Sequence, residues 1–177
     1  MPRVTRTLVL GGTRSGKSRH AELLLPADAP VQYLATARRD PDDVEWTARL
    51  RAPRSRRPPG WTTVEDPDVA ALVRAGGDPL LVDDLGTWLT RVLDEAGAWD
   101  AHPVPAEVTG RAAELVAAVA AAPGRVVLVS AEVGLGVVPA TRAGRLFRDE
   151  LGALNADLAA VCDEVLLLVA GLPVRLK

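Results

Sequence analysis

The residues at positions 11–18, GGTRSGKS, have the types and spacing of a phosphate-binding loop, GxxxxGK[ST]. A short apolar run precedes the loop and a helical pattern follows it, which is the context that this motif requires. Glycines let backbone N–H groups turn toward phosphate oxygens, and the helix N-terminus adds a positive dipole. We expect Lys17 to reach the β- and γ-phosphates of a nucleoside triphosphate and Ser18 to offer its hydroxyl to Mg²⁺. The alternative is a glycine-rich turn without a ligand, and the strand and helix around the loop disfavour it.

A second candidate is Asp83, which ends the apolar run Leu80-Leu81-Val82. A carboxylate at the end of a buried strand is the usual Walker-B partner of a phosphate-binding loop, where it holds Mg²⁺ through the water shell. The alternative is a helix cap, and Asp84 is available for that task. We therefore assign the metal role to Asp83.

Residues 49–58 form a basic run, RLRAPRSRRP. Such a run is usually a solvated face, but its prolines argue against a regular helix, and a basic loop beside a nucleotide can clamp a second phosphate group. By spacing, the two interpretations are equally supported.

Several other polar residues are weaker candidates. Glu132 and the glycines at 134 and 136 follow a predicted strand, where parallel sheets form their binding crevice. Arginines at 142, 145 and 148 recur every three residues, a pattern more typical of a solvent-facing stripe. We assign no function to His20 or His102.

The hydrophobic pattern predicts the strands and helices that would position these candidate residues. Strands are predicted at residues 7–10, 31–36, 61–65, 80–82, 126–129 and 165–169. Helices are predicted at 17–25, 40–50, 66–76, 85–96, 106–121 and 140–161, the second and third opening on the cap signals Asp40-Pro41 and Asp66-Pro67. Alternation of this kind predicts an α/β fold with a parallel sheet covered by helices on both faces.

Composition narrows the class of protein. The 177 residues are 48% hydrophobic and 25% charged with a net charge of −2, as expected for one soluble domain spanning 1–177. This charge balance gives no field for nucleic acid, and no apolar stretch is long enough to span a membrane. Cys162 is the only cysteine, so a cysteine-rich zinc site is excluded. We expect a cytoplasmic protein without a nucleic acid or membrane partner.

Distinctive blocks of sequence resemble those of the bifunctional adenosylcobinamide kinase/adenosylcobinamide-phosphate guanylyltransferase family of cobalamin biosynthesis. The blocks are GGTRSGKSRHAE, YLATA, RRPPGWTTVE, LLVDDLGTWLT, VVLVSAEVGLGVVP, RLFRDELGALN and AGLPVRLK. They keep the family's order and spacing from residue 7 to the C-terminus.

The resemblance implies a P-loop NTPase of the RecA-like kind that assembles as a homotrimer. It implies phosphorylation of adenosylcobinamide by ATP or GTP with Mg²⁺, then transfer of GMP from GTP to give adenosylcobinamide-GDP. It also implies catalytic roles for Lys17 and Asp83 and metal binding by Ser18 and Asp83. The nucleotide contacts that it implies are Gly11, Gly12, Thr13, Arg14, Ser15, Gly16, Lys17, Ser18, Thr36, Ala37, Arg38, Pro53, Arg54, Ser55, Arg56, Glu65 and Asp83.

The chain departs from the family pattern at one decisive position. The family transfers GMP through a histidine in the arginine run, and Ala52 stands there, with Pro53 next. Alanine cannot act as a nucleophile. Ala131 also replaces a usual asparagine. Two alternatives therefore stay open: a monofunctional kinase for cobinamide or another alcohol, and a nucleotide-binding regulator without turnover.

Overall fold

The computed structural model describes residues 5–37 and 57–177, and within them the strands belong to one sheet. The predicted helix at 40–50 lies outside these residues. The strands are β1 (Arg6–Gly11), β2 (Val31–Ala35), β3 (Trp61–Glu65), β4 (Leu80–Asp83), β5 (Val126–Ala131), β6 (Glu164–Val169) and β7 (Leu172–Arg175). Their order across the sheet is β3-β2-β4-β5-β1-β6-β7.

Five helices join the strands in this part of the chain. They are α1 (Lys17–Leu23), α2 (Val69–Ala75), α3 (Leu85–Glu95), α4 (Ala106–Ala120) and α5 (Arg142–Val161). No described helix has the length and apolar character needed to cross a membrane.

The strands β1 to β6 pair with one another in parallel, so their carboxyl ends meet at one edge of the sheet. At that edge Ala35 is in register with both Glu65 and Asp83, and Gly11 is in register with Ala131. The strand β5 separates β1 from β4. A crevice beyond the carboxyl ends of parallel strands is where ligands bind in open α/β sheets.

Both faces of the sheet are covered, as the sequence predicted. Leu8 and Leu128 pack with residues of α2 to α5 on one face, while Val9 and Val129 pack with Ala21 of α1 on the other. Because parallel strands are buried on both faces, they appear in the sequence as continuous apolar runs. The predicted α/β class and mainly parallel sheet are confirmed.

The strand β7 was not predicted, and it pairs antiparallel with β6. The two strands are joined by Ala170 and Gly171, both with positive φ, of 51° and 83°. A two-residue hairpin turn of type I′ needs positive φ at both positions, and Asn-Gly or Asp-Gly is the usual signal. Alanine gives no such signal, so the sequence pattern does not predict a strand beyond residue 169.

Two helix starts test the capping predictions. Asp84 caps α3, since its side chain accepts a hydrogen bond from the Thr87 N–H at 2.9 Å, as expected. At α2 the prediction was wrong by two residues: the cap is Asp68, which accepts from the Ala71 N–H at 3.0 Å. Asp66 instead has φ of 49° and forms an ion pair with Arg91.

Candidate functional site

The phosphate-binding loop connects the carboxyl end of β1 to the first turn of α1. Gly16 is the N-cap of α1 and has φ of 89°, a conformation in which a side chain is strained. Its carbonyl accepts the first helical hydrogen bond, from the His20 N–H at 2.9 Å. Within the loop the Ser15 N–H donates to the Gly12 carbonyl at 3.2 Å, and Arg14 has φ of 56°. These turns curl the backbone ahead of a helix N-terminus, which is an anion-binding arrangement.

The two polar residues after Gly16 point to different parts of this edge. The Lys17 ammonium lies 3.4 Å from the Gly12 carbonyl oxygen, so its side chain folds back over the loop. The Ser18 hydroxyl donates to Asp83 Oδ1 at 3.1 Å. Since Asp83 ends β4 and β5 lies between β4 and β1, this bond joins the two predicted motifs across an intervening strand.

Asp83 is held by two hydroxyl groups. The Tyr33 hydroxyl donates to Oδ2 at 2.5 Å, and Ser18 engages the other oxygen. Burial, followed by the charge of Asp84, raises the pKa of Asp83 to about 6, although Tyr33, Ser18 and Lys17 lower it. Burial and the Asp83 charge raise the pKa of Tyr33 above its usual range, so this phenol stays protonated and acts as the donor.

This donor set fits a magnesium ion. Mg²⁺ prefers oxygen ligands and is usually held by one or two carboxylates or hydroxyls together with water and substrate phosphates. The Ser18 hydroxyl and the Asp83 carboxylate supply such oxygens 3.1 Å apart. Burial raises the pKa of Asp83 because it disfavours the charged carboxylate, and a bound cation would favour that charged form.

Thr36 follows β2 and supports the neighbouring chain. It is only 1% exposed, and its hydroxyl lies 2.6 Å from both the Asp84 carbonyl oxygen and the Thr87 hydroxyl. These bonds fix the start of α3 beside Asp83. The nucleotide contact expected of Thr36 stays a prediction, as do those of Ala37 and of Glu65, which is exposed at the end of β3.

Part of the predicted site lies outside the described residues. Those positions are Arg38, Ala52, Pro53, Arg54, Ser55 and Arg56. Arg57, the last arginine of the basic run, is described, and its guanidinium carbon lies 3.2 Å from the centre of the Tyr33 ring. Its Nη1 donates to the Thr63 hydroxyl at 2.7 Å. At this residue the run is attached to the sheet, next to the pair of Tyr33 and Asp83.

The base of the loop is tied to both strands that flank β1. The Glu132 N–H donates to the Gly11 carbonyl at 3.1 Å, and the Gly171 N–H donates to the Ser15 carbonyl at 3.0 Å. Glu132 also accepts from the Gly134 N–H at 2.7 Å. Glu132 therefore helps to position the loop. Gly171, in the unpredicted β6–β7 turn, also supports the loop, and no pattern in the sequence indicates this role.

The arginines of α5 do not form one free cationic stripe. Arg142 donates to the carbonyls of Trp99 and Ala101, and Arg145 donates to the carbonyls of Pro139 and Ala140. Arg148 lies 3.7 Å from Asp149. Arg142 and Arg145 bind nearby loops, which is a structural role.

We compared the sequence with protein families and with known proteins. A family model described as cobinamide kinase / cobinamide phosphate guanyltransferase matches residues 7–176. The chain is 39% identical to the bifunctional adenosylcobalamin biosynthesis protein CobU of Escherichia coli (strain K12) over 180 residues, covering 96% of this chain and 98% of that protein. It is 42% identical to the bifunctional adenosylcobalamin biosynthesis protein CobP of Pseudomonas aeruginosa over 179 residues, covering 97% of each.

Among solved structures, the KaiC-like protein PH0186 from Pyrococcus horikoshii OT3 is similar with a TM-score of 0.49 and 13% identity. That match covers 92% of this chain and 70% of the other. The family model and the relatives each match nearly the whole chain, which leads to one conclusion. This chain belongs to the cobinamide kinase / cobinamide phosphate guanyltransferase family.

Proposed function

We propose that this chain is an adenosylcobinamide kinase that transfers the terminal phosphoryl group of ATP or GTP to the cobinamide hydroxyl, with Mg²⁺ as cofactor. The observation that carries the proposal is the 3.1 Å hydrogen bond between Ser18 and Asp83. It brings a complete phosphate-binding loop and a half-buried carboxylate to one edge of the sheet, which is the arrangement of phosphoryl-transfer enzymes. Membership of the family supplies the substrate.

Each residue of the site has a distinct role in the proposed phosphoryl transfer. The backbone N–H groups of residues 11–18 bind phosphate oxygens, and the Lys17 ammonium neutralises the charge that builds up on the transferring group. Ser18 and Asp83 would hold Mg²⁺, which would supply positive charge to neutralise the phosphates of the nucleotide. Asp84 caps α3 and thereby keeps the end of β4 in place.

Product identification tests the kinase proposal. The protein is incubated with Mg²⁺, adenosylcobinamide and ATP or GTP labelled at the γ-phosphate, and the label should appear in adenosylcobinamide phosphate. Label that moves to a different alcohol in a panel of acceptors would support the monofunctional alternative. Binding of nucleotide with no labelled product from any acceptor would support the regulatory alternative.

For the second activity we propose direct guanylyl transfer. The phosphate oxygen of adenosylcobinamide phosphate would attack the α-phosphorus of GTP, and pyrophosphate would leave. This route needs no protein nucleophile, which suits Ala52 at the family's histidine position. Pro53, Arg54, Ser55 and Arg56 would contact the nucleotide, as the resemblance implies.

Intact-protein mass spectrometry tests the direct route. After incubation with GTP and Mg²⁺ we expect no mass increase of one GMP, while an Ala52→His variant provides the matched positive control. A GMP adduct on any histidine of the unmodified chain would contradict the proposal. Formation of adenosylcobinamide-GDP without an adduct would support it.

The remaining proposals concern assembly and setting. We propose one nucleotide-binding domain over 1–177, a homotrimer, and a cytoplasmic location without nucleic acid or membrane partners, on the basis of the family resemblance and the net charge of −2. Light scattering at micromolar concentration should give three times the 18.7 kDa chain mass. A monomer mass would reject the trimer.

A further inference from the structure

Tyr33 places a polar group where a strand in a parallel sheet normally carries only hydrocarbon. The residue is 3% exposed and packs with Val31, Leu81 and Val129 beneath α1. Its hydroxyl reaches Asp83 Oδ2 at 2.5 Å from the neighbouring strand. A buried hydroxyl requires an acceptor, but an apolar residue would fill the same space without that need. The hydroxyl therefore does more than fill the core.

The two carboxylate oxygens of Asp83 accept hydrogen bonds from two different segments of the chain. Ser18 of the phosphate-binding loop holds Oδ1, and Tyr33 of β2 holds Oδ2. With the Ser18 hydroxyl bound to Mg²⁺ instead, the Tyr33 bond would be the one that still fixes the carboxylate plane. Outer partners of this kind orient metal-binding carboxylates and tune their affinity.

The Tyr33 ring is itself clamped. Arg57 lies 3.2 Å above the ring centre and is anchored by its bond to Thr63 on β3. A guanidinium over an aromatic face is attracted by the ring electrons, more strongly when water is excluded. The contact runs from the last arginine of the basic run, through Tyr33, to Asp83.

We propose that Tyr33 is a positioning residue for phosphoryl transfer, whose hydroxyl sets the orientation of the Asp83 carboxylate toward Mg²⁺ while Arg57 holds its ring. The inference rests on the metal role proposed for Asp83. It goes beyond the assigned motif residues, because Tyr33 lies outside both motifs and acts through Asp83.

The variant Tyr33→Phe tests this role, since it keeps the ring, its burial and the Arg57 contact. Binding of Mn²⁺ in the presence of a non-hydrolysable triphosphate, followed by electron paramagnetic resonance, should weaken about 10-fold or more. The affinity of the same nucleotide without metal should stay within about 2-fold, and the Mg²⁺ concentration for half-maximal rate should rise with the metal dissociation constant. These readouts separate positioning from a general loss of structure.

The matched control is Thr90→Val, which also removes one partly buried hydroxyl, here bonded to the Gly86 carbonyl at 3.0 Å on α3. It should leave Mn²⁺ binding unchanged. Arg57→Gln should weaken Mn²⁺ binding less than Tyr33→Phe does, because the Tyr33 hydroxyl remains. Equal Mn²⁺ affinity in Tyr33→Phe and the unmodified protein would overturn the proposal.

A double-variant measurement guards against indirect effects. In an Asp83→Asn background, adding Tyr33→Phe should cause little further loss of Mn²⁺ affinity, because the carboxylate through which Tyr33 acts is gone. Additive losses would overturn the proposal by showing that Tyr33 acts elsewhere. Since these binding measurements need no cobinamide, their failure is distinguishable from failure of the proposed kinase activity.

Discussion

Asp163 and Asp83 stand at opposite edges of the same sheet, and their carboxylates are held in contrasting ways. Asp163, directly before β6, accepts five hydrogen bonds from the backbone and side chains of Thr5 and Arg6. The Arg6 bond holds the pKa of Asp163 well below its usual range. Asp83 accepts from Ser18 and Tyr33, and burial raises its pKa to about 6.

This difference in hydrogen bonding and pKa indicates that the Asp163 carboxylate stabilises the fold, whereas the Asp83 carboxylate is suited to bind a ligand. At the amino edge the protein supplies its own cation, Arg6, and the charge of Asp163 is compensated in the folded state. At the carboxyl edge the charge of Asp83 is left short of compensation, which costs stability until a cation binds. Functional sites commonly carry such a cost.

The strongest test of the carboxyl edge is Lys17→Ala. Removal of the ammonium leaves the phosphate charge without its main protein partner, so we expect the rate of phosphoryl transfer to fall by about 1000-fold. Triphosphate binding should be lost as well, with the melting temperature nearly unchanged. Lys177→Ala is the control, because the Lys177 ammonium binds the Ala159 and Ala160 carbonyls away from the loop. An unchanged rate in Lys17→Ala would remove the phosphate-binding assignment.

The next largest effect is expected for Asp83→Asn, which removes the charge and keeps the shape. The rate should fall about 100-fold, while nucleotide affinity measured without metal should be largely retained, because the residue acts through Mg²⁺. Without metal the variant should be more stable at pH 8 by about 1 kcal/mol, since an uncompensated charge is removed. Equal losses of affinity with and without Mg²⁺ would show that Asp83 has another role.

At the amino edge, Asp163→Ala should show the reverse pattern. Loss of the acceptor leaves the Arg6 guanidinium and two backbone N–H groups short of partners, so unfolding free energy should fall by about 2–3 kcal/mol. The kinase rate per folded molecule should stay unchanged. Urea unfolding and steady-state kinetics measure these two quantities. A loss of rate without a loss of stability would show that Asp163 has a functional role and not a stabilising one.

The sequence allowed much of the carboxyl edge to be predicted, because its chemistry depends on local spacing. The loop at 11–18 and Asp83 after an apolar run have recognisable patterns, and the structure joins them. Tyr33 was not found, because a tyrosine in a predicted strand resembles any core residue until its neighbour across the sheet is known. The pair of Arg6 and Asp163 was missed for the same reason, since its partners are 157 residues apart in the chain.

The smallest expected effect is the pH dependence of stability. It compares the two aspartates directly. The pKa of Asp163 is lower in the folded chain than the unfolded value of about 3.9. Its contribution is therefore fully present above about pH 4 and is lost as the pH falls through the folded pKa. Asp83 contributes to the unfolding free energy with the opposite sign, because its folded pKa of about 6 exceeds the unfolded value. Its destabilising contribution is therefore present above pH 6 and disappears as the pH falls toward 4.

Urea unfolding of the metal-free protein between pH 3 and pH 8 should resolve the two contributions. Asp163→Asn should lower stability by a constant amount above about pH 5, and the difference from the unmodified protein should shrink below about pH 4. Asp83→Asn should raise stability at pH 8 and match the unmodified protein near pH 4. Asp28→Asn, an exposed aspartate after α1, controls for the loss of one surface carboxylate. If the curves of Asp163→Asn and Asp83→Asn deviate in the same direction at pH 8, the two carboxylates are not held in opposite ways.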